Sequence, residues 1–133
     1  MGYRTVFASE AEAVRHLAPA KSRKTDRADR FDLGDIVRAG LAYRIIGDAG
    51  EHLAALVLQP FGASLWITAA AGRAGMPLCP LIDRYACEAA RVGGYRAVVF
   101  RTERPGLVMR ARALGYEVER QNEHTYILKK TIQ

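Results

Sequence analysis

Few residues in this chain carry chemistry by type alone. Cys79 stands just before Pro80 at a predicted helix start, where the helix dipole lowers a thiol pKa. That spacing reads as a thiolate nucleophile or as a buried structural cysteine. No histidine lies near it in sequence, and the structural reading is the commoner one. Cys87 falls mid-helix beside alanines and reads as core packing. Glu51 and His52 could supply a base, but they sit at a predicted turn, which favours solvation. His16 and His124 show no metal-ligand spacing, so no metal site is expected. Glu103 and Arg104 read either as a helix-capping charge pair or as contacts to a ligand.

Charge narrows the partners. Lys and Arg number 20 against 14 Asp and Glu, a formal charge of +6. Such a protein favours anionic partners. The segment from Lys21 to Arg30 holds five bases and two acids. It reads as a phosphate-contacting arm or as a solvated loop. Interleaved aspartates and the lack of stacking aromatics argue against nucleic acid.

The elements that must position these groups follow from period and punctuation. The chain has 133 residues, of which 50% are hydrophobic, the balance of one α/β domain over residues 1–133. A chain of this size buries about two-thirds of its unfolded surface without a staple. No apolar run reaches the roughly 20 residues of a membrane span. Met1 to Ala8 lacks an apolar leader core, so a cytoplasmic protein is expected. Tyr3–Ala8 reads as a strand. Ser9 with Glu12 three residues on is a helix start, and Pro19 is expected to end that helix. A short helix is expected over Leu33–Ala39.

Leu41–Ile46, Leu53–Leu58 and Ser64–Ala71 then read as an antiparallel meander. The middle run, Leu-Ala-Ala-Leu-Val-Leu, suits a strand buried on both faces. Pro60, Phe61 and Gly62 are its expected turn. A helix over Pro80–Val92 stops at Gly93-Gly94 and leads to a strand over Arg96–Arg101, a parallel crossover. Pro105 opens a last helix with Leu107, Ala111 and Leu114 facing inward. Tyr116–Arg120 and His124–Lys129 close the chain as a hairpin.

This element order is similar to that of the GNAT acyltransferase superfamily. The phrase Leu114-Gly115-Tyr116-Glu117 resembles the ending of that family's last helix. The resemblance implies a GNAT-like mixed sheet, α+β in class, with the meander, one parallel βαβ crossover and a C-terminal hairpin. It implies an acyl-CoA cosubstrate, such as acetyl-CoA, held between Ser64–Ala71 and Arg96–Arg101. The residues it assigns to cofactor binding are Ala70, Gly72, Arg73, Ala74, Gly75 and Met76. It implies transfer of an acyl group to an amine whose identity the sequence does not reveal.

Some positions depart from the family. Gly72 and Pro77 stand where its phosphate loop has Gln or Arg and Gly or Ala. Pro77 and Pro80 remove two backbone donors. Ala111 stands where many members place an acidic tyrosine, and no catalytic residue carries over. The alternative is therefore a catalytically inactive GNAT-like module with a structural or binding role, as in a phage-type assembly. Trp66 and the terminal hairpin would permit a homodimer.

Overall fold

A computed structural model describes residues 3–21, 38–72 and 78–132. Strand β1 (Tyr3–Phe7) leads into helix α1 (Glu10–Lys21). Strands β2 (Leu41–Gly47), β3 (His52–Phe61) and β4 (Ser64–Gly72) follow. Helix α2 (Leu78–Gly93) precedes β5 (Ala97–Thr102), and helix α3 (Pro105–Ala113) precedes β6 (Glu117–Gln121) and β7 (Tyr126–Thr131). The seven strands form one sheet in the order β1-β2-β3-β4-β5-β7-β6. β4 and β5 run parallel, and every other neighbouring pair is antiparallel.

Strand β3, third in the sheet, has an apolar run buried on both faces. Ala54, Leu56 and Leu58 join a core with Leu81, Ile82, Ala86 and Ala90 of α2 and Val108 and Ala111 of α3. Ala55 and Val57 alternate to the other face and pack on Ala13 and Leu17 of α1. The helices are set by local chemistry. Ser9 and Glu12 form the expected reciprocal cap, with Glu12 N–H donating to Ser9 Oγ at 3.2 Å and Ser9 N–H to Glu12 Oε1 at 3.1 Å. After α3, Gly115 takes φ +102°. That left-handed turn lets the Tyr116 amide reach back to the Ala111 carbonyl at 3.1 Å. Tyr116 is thereby buried against Phe100, edge to face.

Several expectations need correction. Pro19 does not end α1, which continues to Lys21. A proline this close to a helix end forfeits a single ladder bond. Pro60 lies in β3, paired with Leu65, and the turn is Gly62-Ala63. Pairing with β2 stops at Leu58, so the missing Pro60 donor has no ladder partner to lose on that edge. On α3 Ala111 is buried and Leu114 packs half-buried on the core as expected, but Val108 is the buried residue of the first turns and Leu107 is only half-buried. The helix expected over Leu33–Ala39 lies outside the described residues except for its last two, and so does the basic segment after Lys21.

Candidate active site

The feature that sets this sheet apart is the divergence of its parallel pair. β4 and β5 are in register only from Ser64↔Ala97 to Ile67↔Phe100. Beyond that point β4 runs five residues further, to Gly72, and β5 two further, to Thr102. Each keeps its outer neighbour: β4 stays on β3 through Ala54↔Gly72, and β5 stays on β7 through Thr102↔Tyr126. Their inner edges face each other without a shared ladder.

A bulge explains where the strands part. The β3–β4 register steps from Leu58↔Ile67 to Val57↔Ala69, so Thr68 is the extra residue. It follows directly on the last parallel pair. A bulge bends its strand and sharpens the local twist. Here Thr68 Oγ also donates to the Val57 carbonyl at 3.4 Å, which ties the bulge to β3.

The last laddered pair, Ile67 and Phe100, closes the divergence at its base, and on the diverging part of β4 Ala69 and Ala71 pack toward α1 while Ala70 packs toward the α2 side. Unpaired strand amides and carbonyls can bind an extended ligand as another strand would. The cleft mouth lies at the C-terminal ends of two parallel strands, and five residues separate the end of β4 from the start of α2. A helix N-terminus concentrates free amides and positive potential. α2 has no acidic residue in its first turn to compete with an anion. Pro80 withholds one amide there.

On the β5 side, Arg101 is exposed and Thr102 is fully buried, with its Oγ accepting from the Arg104 amide at 3.1 Å. Arg104 occupies the N-cap of α3 without a side-chain cap, and Glu103 beside it is half-buried.

Of the residues expected to hold a cofactor, Ala70 and Gly72 lie on the diverging part of β4. Arg73, Ala74, Gly75 and Met76 lie outside the described residues, as does Pro77. Cys79 falls in the first turn of α2. Cys87 is 4% exposed and its thiol donates to Asp83 Oδ1 at 3.3 Å. Burial and then Asp83 push that thiol up to about 11, so it is an inert packing group. Glu51 is exposed in the β2–β3 turn, where it accepts from the Ala49 amide. His52 is not a solvated turn residue. It opens β3, half-buried, with its ring stacked on His16. Among the described residues no group of three His, Cys, Asp or Glu is placed to hold a metal, and no helix is long and apolar enough to cross a membrane.

Two clusters had no signal in the sequence. Lys130 on β7 pairs with Asp83 on α2 at 3.0 Å and lies over the Tyr116 ring at 5.6 Å. Arg44, His52, Glu12 and His16 meet between α1 and the sheet. Residue spacing cannot reveal partners 47 or 32 positions apart.

No family model and no curated protein matches the sequence. Solved structures do match the fold. A GNAT family acetyltransferase from Elizabethkingia anophelis, solved with acetyl-CoA bound, superposes with TM-score 0.74 at 13% identity, covering 98% of each chain. An acetyltransferase from Bacillus subtilis in complex with CoA gives 0.74 at 14% identity, over 99% of this chain and all of that one. The IAA acetyltransferase of Bacillus cereus gives 0.73 at 14%, over 98% and 100%. The chain therefore has the mixed α+β fold of GNAT acetyltransferases, C-terminal hairpin included.

Proposed function

We propose that the chain binds an acyl-CoA, acetyl-CoA being the simplest, and transfers its acyl group to an amine. The observation that carries this reading is the cleft opened at Thr68 between two parallel strands. The bare β4 edge from Thr68 to Gly72 offers amides to the pantetheine arm. The α2 N-terminus, with Arg73 in the connecting segment, offers donors and charge to the pyrophosphate. In the reaction the amine nitrogen attacks the thioester carbonyl, the C–S bond breaks with its electron pair going to sulfur, and the leaving thiolate takes up the proton that the amine loses. Holding the two reactants in line is the main service a cleft can give such a step. Structural neighbours that bind acetyl-CoA and CoA support the reading.

A second reading is favoured by two further observations. The family's acid position is Ala111, which is buried in the core, and Pro80 thins the amide cradle. On this reading the cleft serves a GNAT-like binding module, of the kind built into phage-type assemblies, and no transfer occurs. Acyl transfer to a panel of amines separates them, with thermal melting in millimolar acetyl-CoA as the readout of binding. Ligand at about 100 times its Kd adds roughly 2.7 kcal/mol, which raises Tm by several degrees at this size. The first reading predicts that rise, its loss in Arg73→Ala, and acyl transfer to some amine in a panel. The second predicts no transfer to any.

A further inference from the structure

The charged cluster behind the cleft wall is independent of that proposal. Helix α1 lies along β2, β3 and β4, with Leu17 and Ala13 seated on Ala55, Val57 and Ala71. At the edge of this apolar seam two imidazoles stack. The His16 and His52 ring centroids are 3.8 Å apart and the planes are within 16°. Each ring faces a guanidinium. Arg44 Nε donates to His52 Nδ1 at 3.4 Å, and Arg15 lies 3.4 Å from His16 Nε2. Arginine has donors and no acceptor. Both contacts therefore require a lone pair on the imidazole nitrogen, which only a neutral ring has. Among the described residues the surrounding charges include Glu12 and Arg15 on α1, Arg44 on β2, Arg4 on β1 in the row Arg4↔Ile46↔His52, and Glu51 before β3, with Glu10 held by Arg38 at 2.7 Å. Glu12 reaches Arg44 at 3.3 Å and is also committed to the Ser9 cap.

We infer that the stacked His16–His52 pair is an acid-sensitive clasp that seals α1 to β2 and β3 when neutral and loosens it when protonated. A proton on either ring turns an acceptor into a second donor facing an arginine. It also adds a cation beside two guanidiniums, a like-charge contact in a partly desolvated seam. The electrostatics agree in direction. Burial first, then Arg44 and Arg15, hold His16 below its ordinary value of 6.5, against the opposing pull of Glu12. A lowered folded-state pKa means the unfolded chain takes up the proton first as pH falls. The stabilisation is thus complete above about pH 6.5 and is lost as pH drops below it.

The test is thermal melting of the full chain from pH 7.5 to 5.0. The wild type is expected to lose about 4 °C or more over that window. The double variant His16→Gln/His52→Asn keeps an amide oxygen near each accepting nitrogen and cannot titrate. Its Tm is expected to move by less than half as much. A parallel decline in the variant, or a flat wild type, would overturn the clasp. If the variant does not fold, hydrogen exchange on the wild type decides. After correction for intrinsic rates, α1 amides should open about tenfold faster at pH 5.5 than at 7, with β5 and β7 unchanged. A uniform change across the sheet, or none in α1, would refute it.

Discussion

The parallel pair β4–β5 has two ends that differ in every physical respect. At the closed end, Leu65 pairs with Val98 and both are buried, and Leu128 of β7, opposite Phe100 at the last laddered pair, joins the same core at 0% exposure. Asp83, Lys130 and Tyr116 fasten α2 and β7 beside this floor. At the open end, Thr68 displaces the register, the ladder stops, and five residues of β4 continue with a single strand neighbour. The closed end concentrates stability. The open end forgoes a ladder and keeps backbone donors and acceptors for something else. One inserted residue marks the boundary between the two.

That contrast makes unequal predictions for substitutions. The largest effect belongs to Leu128→Ala at the closed end. A fully buried leucine truncated in a packed core costs about 3 kcal/mol, readable by urea unfolding. A cost under about 1 kcal/mol would mean the floor is not the stable part. Asp83→Ala comes next. It strands Lys130, but Lys130 is 25% exposed and water screens the loss. About 1–2 kcal/mol is expected, below the value for a fully buried pair. Thr68→Ala at the open end should cost under about 0.5 kcal/mol, because the side-chain bond it removes is long. A larger loss would show that the bulge is a stability element and not only a bend. The smallest signal is chemical. With Cys79 replaced by serine, alkylation of Cys87 at pH 8 should be very slow, since a thiol at about 11 is about one-thousandth ionised there. Rapid modification would mean that the closed end opens readily.

Parts of this contrast were legible in the sequence and parts were not. The run Leu53–Leu58 announced a strand buried on both faces, and Gly93-Gly94 and Gly115 announced two helix ends, because these depend on nearest neighbours in the chain. The strand–helix–strand order around Ser64 and Arg101 was legible for the same reason. The bulge at Thr68 was not, since an extra residue exists only relative to a partner strand. A similar bulge at Leu53 shifts the register next to His52 and carries it onto the α1 face. The sequence placed His52 in solvent for lack of that register. The pairing of Asp83 with Lys130 depends on how α2 lies across the sheet, which no local pattern encodes. Of the residues expected to hold a cofactor, Ala70 lies on the strand that the sequence indicated, whereas Gly72, expected to open the following loop, is the last residue of β4. For Arg73–Met76 the test lies in solution.

The most direct measurement is an amide NMR titration of the full chain with CoA. Shifts are expected to concentrate in Thr68–Gly72, Arg101–Thr102 and the first turn of α2, with Ser64–Ile67 and the β1 and β6 edges little changed. Shifts confined to β1 or β6, or none at millimolar CoA, would contradict the claim that the open end of the β4–β5 pair is the binding site.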